Sequence, residues 1–413
     1  MNKIYYYLFI LIILLLIAQY YSYRKFRYGL TTTIKKGNII RFGQTIDENN
    51  SDSINYSEGI ILAFQSFNRV SDNKIHLLIY NDRDEKELAI NNAKILINYF
   101  DVLGIVGTWG ATSTIGVLNN VTKNKNIPLI GPYTGSPIIR RLYNKNLILV
   151  QGYALDEFKM MIKHMELNNI NNISFIYQND DYGLSYFNYF SSYLTTKNID
   201  INIISSGTYE RNSNYLYECF KNVLNVDEPY DYNSYQYNET LNSIEAVIII
   251  CSEIQIVNII NFLKKIKPKL FIYFCSFTTT NPNILKNIIN KKNIYQTLLN
   301  YDIKKIPMLY KKFNDELKYY NKHEQKQIKT ITHCTYQGFY TGLLITKALE
   351  TIDDFSSINR KSFIDIFYKN KYFDIYGLYI GPFTNLSNSG VDYVSFNTLN
   401  NNGEIKFLFD NKI

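Results

Sequence analysis

Cysteine and histidine are scarce in this 413-residue chain, four of each, and neither falls into a pattern that chemistry requires. Cys219, Cys251, Cys275 and Cys334 have no C-x-x-C spacing and no density, which excludes a disulfide-stapled scaffold and argues against a zinc ribbon. Cys251 and Cys275 end two apolar runs, so they read as small buried residues, with a single bridge between them as the alternative. His76, His164, His323 and His333 show neither H-E-x-x-H nor any other ligand spacing, and no metal site is expected. G-x-S-x-G, a P-loop and a Cys/His pair in a plausible setting are also missing. The expectation is therefore a protein that is not an enzyme and needs no cofactor.

Charge excludes a further class. The formal net charge is +8, but Lys and Arg are scattered and no stripe alternates them with exposed aromatics, so no nucleic-acid partner is expected. Asn, Ile, Lys and Tyr are abundant in every segment, a compositional bias that dilutes any single motif. Six N-x-S/T sequons, at Asn49, Asn55, Asn120, Asn172, Asn238 and Asn385, are about what this composition produces by chance.

Long apolar runs are missing too, with one exception. Ile4 to Ala18 is continuously apolar or aromatic, and with Gln19 to Tyr21 it reaches the roughly 18 to 20 residues that span a bilayer. It leaves through Gln19, Tyr20, Tyr21 and Tyr23 instead of small residues, which favours an uncleaved signal anchor over residues 1–23, followed by a basic linker at 24–36. Arg24, Lys25 and Arg27 after the span pull the remainder toward the cytoplasm. A resemblance carried by segments further along the chain pulls it outward, and the extracytoplasmic side is the expectation.

Beyond the linker, short apolar runs alternate with amphipathic stretches, the pattern of parallel sheets covered by helices. Strands are expected at Ile39 to Thr45, Ile75 to Tyr80, Val102 to Val106 and Ile127 to Gly131. A second series follows at Ile173 to Tyr177, Ile199 to Ser205, Ala246 to Cys251 and Leu270 to Cys275. Ile60, Ala63, Phe64 and Phe67 mark one helical face. Asn225 to Ser243 reads as a long surface loop, and the chain ends in a hairpin turned at Asn402-Gly403. Two α/β domains in tandem are the natural parse.

Two Gly-rich turns stand at strand ends, Gly104-Ile-Val-Gly-Thr-Trp-Gly-Ala-Thr112 and Gly131-Pro-Tyr-Thr-Gly135. Both should lie at the carboxyl edge of one sheet, where open α/β sheets bind ligands. The first runs into a helix and suits an anion; the bland alternative is that Gly and Pro merely form turns. Its spacing is G-x-x-G-x-x-G, not the dinucleotide fingerprint, and no acid follows about 20 residues on, so an NAD-type enzyme is a poor alternative. In the second half the matching ends are Gln178 to Gly183, Cys251-Ser-Glu253 and Cys275 to Thr280. Asp180 and Asp181 there read as helix caps ahead of a carboxylate pair.

An ordered set of short segments carries a resemblance from about Ile40 onward. It comprises Gly43-Gln-Thr45, Gly59 with Ala63-Phe64, Asn81-Asp82, Val106-Gly-Thr108, Ile127 to Gly135 with Arg140, Tyr177 to Gly183, Tyr209-Glu-Arg211, Ser276-Phe277 and Tyr336-Gln-Gly338. In these the chain resembles the type I periplasmic binding proteins, the family of branched-chain amino-acid receptors. The resemblance implies an α/β fold of two Rossmann-like lobes with parallel sheets, joined by a three-crossover hinge, with the ligand in the cleft. It places lobe 1 at 37–149 and 299–373, and lobe 2 at 150–298 and 374–413. Crossovers are then expected near Val150 to Tyr153, Thr297 to Asn300 and Asp374 to Leu378.

In such receptors first-lobe loops hold an amino acid's carboxylate, and Trp109, Gly110, Ala111, Thr112, Tyr133, Thr134 and Gly135 occupy those places. The second lobe adds an aromatic and a carboxylate for the ammonium; Tyr177, Asp181, Ser252, Glu253 and Thr278 occupy theirs. The chain departs from the amino-acid receptors at Ala111, where they carry serine, and Glu253 is the best candidate for the cation partner. A membrane-anchored protein closing on a small molecule is thus the leading expectation. A tethered surface protein with a degenerate cleft is the alternative. No permease, kinase, cyclase or channel segment follows the second lobe, so an unidentified signalling or transport partner chain is expected.

Overall fold

The computed structural model describes residues 39–411, except 124–125, 141–142, 212, 232–237, 252 and 280. The expected anchor at 1–23 and basic linker at 24–36 lie outside the described residues, among which no helix is long and apolar enough to cross a membrane.

The chain builds two sheets in turn. The first holds β1 (Ile39–Ile46), β2 (Lys74–Asn81), β3 (Gly104–Val106), β4 (Leu129–Ile130) and β5 (Leu147–Ile148), in the order β2-β1-β3-β4-β5 and parallel throughout. Its helices include α1 (Ser51–Val70), α2 (Lys86–Asn98) and α3 (Ala111–Val117). The second sheet begins after α4 (Ala154–Leu167) with β6 (Asn172–Gln178), α5 (Asp181–Lys197), β7 (Asn202–Tyr209) and α6 (Tyr217–Leu224). It continues through β8 (Ala246–Ile250), α7 (Glu253–Ile266), β9 (Phe271–Phe274) and β10 (Ile294–Leu298). Covered by helices, β8 is buried at all five positions, Ala-Val-Ile-Ile-Ile, the continuous apolar run expected of a central parallel strand.

After β10 the chain returns to the first lobe with α8 (Pro307–His323), α9 (His333–Glu350) and α10 (Arg360–Asn370). A small hairpin, β11 (Phe373–Ile375) and β12 (Leu378–Ile380), follows. Then β13 (Ser395–Leu399) and β14 (Ile405–Asp410) add antiparallel to the second sheet, giving the order β14-β13-β10-β9-β8-β6-β7. The hairpin turn at Asn402-Gly403 falls between these last two strands as expected.

Several elements differ from the sequence expectation. The strand expected at Ile199 to Ser205 starts at Asn202 and ends at Tyr209; it is an edge strand with mostly half-buried residues, so no apolar run marks its limits. The segment Asn225 to Ser243 contains a short helix, Glu239–Ser243, capped by the Asn238 side chain. At 374–390 the chain, expected with the second lobe, stays with the first: Ile375, Leu378, Ile380 and Phe383 share an apolar cluster with Phe367, Phe339 and Phe42. The last crossing between sheets therefore lies just before Ser395, where Tyr393 stacks on Tyr301 of the preceding crossing at 4.4 Å. All four cysteines are free and buried, and Cys251 and Cys275 form no bridge.

The tightest packing in the first lobe is between α1 and α9. A methyl group built on Gly338 would lie 1.9 Å from the Tyr56 carbonyl oxygen, and one on Gly59 would lie 2.1 Å from the Thr335 carbonyl oxygen. The two backbones touch directly, and only glycine permits the approach. Gly338→Val is expected to destabilise the protein by about 3 kcal/mol or more, read as a lower urea midpoint without loss of slope.

Candidate functional site

Both sheets have a switch point where the strand order reverses direction, between β1 and β3 in the first and between β6 and β8 in the second. Loops leaving the carboxyl ends of strands at such points form the ligand crevice of open α/β sheets. Here the two crevices face one another across a cavity of about 520 Å³, within the range typical of small-molecule sites. First-lobe walls come from the loops after β1, β2, β3 and β4, and second-lobe walls from those after β6, β7, β8 and β9.

Aromatic rings form the floor. Trp109 and Tyr133 stack face to face at 4.3 Å and 8°, with Tyr56 on the edge of Tyr133 at 5.2 Å. Phe277 from the second lobe meets Tyr133 edge-on, also at 5.2 Å. The tyrosine is anchored from below, its hydroxyl taking hydrogen bonds from Asn300 Nδ2 at 3.2 Å and Cys334 Sγ at 3.3 Å.

Three backbone donors in the two Gly-rich turns are used by the protein itself. Gly110, at φ 75°, donates its N–H to Tyr133 O at 3.2 Å, and Tyr133 donates to Thr108 O at 2.7 Å. Thr134 N–H donates to Gln151 Oε1 at 2.8 Å. These contacts shape the wall but remove three donors that a bound carboxylate would use.

Carboxylates ring the cavity. Asn50 caps α1 by accepting from the N–H groups of Asp52 and Ser53, and this brings Asp52 to the rim in the first turn. Burial, and secondarily the charge of Glu253, push the Asp52 pKa up to about 6. Glu253, the first residue of α7, accepts from Thr279 Oγ1 at 2.8 Å, and burial raises its pKa. Beneath the rim Asp82 is nearly inaccessible and its pKa is raised by burial to about 7, although Thr45 Oγ1 donates to it at 3.0 Å.

A clasp closes the cavity mouth. Arg211, from the loop after β7, pairs with Asp84 of the first lobe and lies 3.8 Å from Asp180 of its own lobe. Ser136 Oγ and Ser185 Oγ, 2.8 Å apart, add a second bond between lobes. The structure is thus of the closed form. Asp180 also caps α5, accepting from Tyr182 N–H and Gly183 N–H at 3.0 Å each, the capping role read from the sequence.

Of the residues assigned from the sequence, Trp109, Gly110, Ala111, Thr112, Tyr133, Thr134, Glu253 and Thr278 line the cavity. Gly135 is beside it, and a methyl group built on it would lie 2.5 Å from the Phe277 ring and 2.6 Å from the Tyr186 hydroxyl. Tyr177 does not line the cavity; its ring stacks on Phe187 at 4.6 Å within the second lobe. Asp181 gives way to its neighbour Asp180, and Ser252 lies outside the described residues. The sequence reading missed Asp52, Asp84 and Arg211 as cleft groups. The carboxyl-edge rule that found the Gly-rich turns, extended to the loops after β1, β2 and β7, points to all three.

The two-lobed architecture and the cleft define the class of a ligand-binding protein. Residues 57–359 match the receptor family ligand binding region, and the chain belongs to that family, a ligand-binding and not an enzymatic one. The solved structures it resembles share the type I periplasmic binding protein fold. One is a possible leucine/isoleucine/valine-binding protein from Rhodopirellula baltica, at TM-score 0.75 and 18% identity, covering 92% of this chain and 98% of that one. Another is a branched-chain amino acid ABC transporter protein from Thermus thermophilus with bound valine, at TM-score 0.72 and 10% identity, covering 91% and 96%. A third is an ABC transporter substrate-binding protein from Desulfitobacterium hafniense in complex with Leu, at 0.65 and 13%, covering 90% and 100%. No curated protein matches the sequence significantly.

Two outcomes follow. Because the folded-state pKa of Asp52 exceeds its ordinary value of 3.8, the ionised carboxylate costs stability, and that cost grows as pH rises from about 4 to about 6. Asp52→Asn should therefore melt higher than the wild type at pH 8, by up to about 3 kcal/mol of stability, and the gain should vanish below about pH 4. Arg211→Ala removes the clasp, a partly exposed contact worth roughly 1 kcal/mol, and shifts the closed-to-open ratio about fivefold. Small-angle scattering should show a larger radius of gyration for the ligand-free variant.

Proposed function

We propose that this is a tethered, extracytoplasmic ligand-binding protein that closes its two lobes on a small molecule of amino-acid size. The observation that carries the reading is the cavity at the facing switch points together with its orphaned polar atoms. Asp84 Oδ1, Thr112 Oγ1, Gln178 Oε1 and Tyr182 OH line it, are shielded from solvent, and have no hydrogen-bond partner among the described residues. Buried polar atoms are rarely left unpaired, since each costs about 1–3 kcal/mol, and a ligand in the cleft would satisfy them. Relatives of this fold solved with valine and leucine support the size class. The N-terminal apolar run supports the tether, and the periplasmic and extracellular relatives support the side of the membrane.

A second reading, a tethered surface protein whose cleft holds nothing, draws on the turn donors already spent on Tyr133 O, Thr108 O and Gln151 Oε1. One experiment separates the two. The full chain in detergent is melted against a panel of amino acids and small metabolites, and scattering is recorded with and without each. On the first reading at least one compound at 100 times its Kd stabilises by about 2.7 kcal/mol and compacts the protein, most visibly in Arg211→Ala. A panel without either response leaves the second reading.

A further inference from the structure

We infer that the cleft takes a net-cationic amine with N–H donors, held between Asp52 of the first lobe and Glu253 of the second. This rests on the cleft being a ligand site and specifies what that ligand is.

Charge at the cavity opposes that of the chain. Five carboxylates but only two guanidinium groups line it, in a protein whose net charge is +8, so its acidity is local. Of the two, Arg211 is already engaged by Asp84, whereas neither Asp52 nor Glu253 has a cationic partner among the described residues. Two carboxylates brought together by lobe closure repel one another; a cation between them turns that repulsion into attraction and links ligand binding to closure.

The unpaired atoms point the same way. Gln178 is 3% exposed and its Oε1 faces the cavity without a donor, as does Asp84 Oδ1. Both are obligate acceptors, so the group they await must donate, which an ammonium does and a carboxylate does not. Trp109 offers its ring system at the same wall, suited to a cation by its quadrupole. On the other side of the account, the N–H groups of Gly110, Tyr133 and Thr134 are bonded within the protein. The unpaired hydroxyls of Thr112 and Tyr182 can accept from the same ligand donor.

The test is calorimetric titration of the full chain in detergent at pH 7.5 with 1,5-diaminopentane, L-lysine, L-leucine, L-valine and choline. 1,5-Diaminopentane is lysine without its carboxylate, so the pair isolates that group. The diamine and lysine should each bind at least tenfold tighter than leucine and valine. Choline, which lacks N–H donors, should bind at least tenfold more weakly than the diamine. Asp52→Asn and Glu253→Gln, each first verified as folded by its melting temperature, should each weaken the diamine at least tenfold.

Leucine or valine binding as tightly as the diamine overturns the inference while leaving the ligand-binding function in place. Choline matching the diamine overturns the hydrogen-bonding part. Diamine affinity unchanged in both variants removes the paired carboxylates from the account. Silence from all five probes overturns the inference, and the function falls with it only if the wider metabolite panel is silent too.

Discussion

Direct backbone contact between α1 and α9 at Gly59 and Gly338 is the constraint on which the first lobe depends. With no side chain between them, the two helices leave little room for α1 to shift, and α1 carries much of the site. Its first turn delivers Asp52 to the rim, and one turn later Tyr56 reaches across to donate its hydroxyl to Gly131 O at 2.6 Å. That bond ties the helix to the turn after β4, which bears Tyr133. The cap, the aromatic stack and the turn thus move as one body. A wall this rigid suits recognition, because a ligand bound against it loses little to reordering of the protein.

The second lobe has its own anchor. Glu157, in the first turn of α4, is wholly buried and accepts from Ser276 N–H and Oγ, Thr297 Oγ1 and Tyr186 OH. One carboxylate thereby joins the end of β9, the end of β10 and α5 beside the first and second crossings. Arg140 of the first lobe donates to Gln151 O at 3.0 Å, Gly152 O at 2.8 Å and Ser389 Oγ at 3.0 Å, steadying the strand that leaves β5. Motion is left to the few residues between these two anchors, the arrangement expected of a hinge.

Most of the fold was legible because parallel strands covered by helices must be apolar on both faces. Ala246–Ile250 announces itself, as does the helical face that includes Ile60 and Phe64. β10 does not: Gln296 and Thr297 are buried there, Gln296 Nε2 donating to Thr279 O and Thr297 Oγ1 to Glu157, and such pairings are invisible before the chain has folded. The β11–β12 hairpin was hidden by its shortness. In the site, glycine-rich turns stood out against the composition and led to Trp109, Gly110, Tyr133 and Thr134. Asp52, Asp84 and Arg211 did not, since Asn- and Asp-rich loops occur throughout this chain and nothing local marks those that meet across a cleft.

The Arg211 clasp has a consequence for whatever reads this protein. Its contact with Asp84 joins the lobes through protein groups alone, so it favours the closed shape whether or not the cleft is filled. A partner that sensed lobe closure alone would then register a background of false positives. A ligand with equal affinity for both shapes would add no information. Reliable reporting requires either that the partner touch the cleft contents themselves or that the clasp be kept weak, and a partly exposed guanidinium, softened by salt, keeps it weak. For any such partner, the strength of one surface ion pair would set the noise floor.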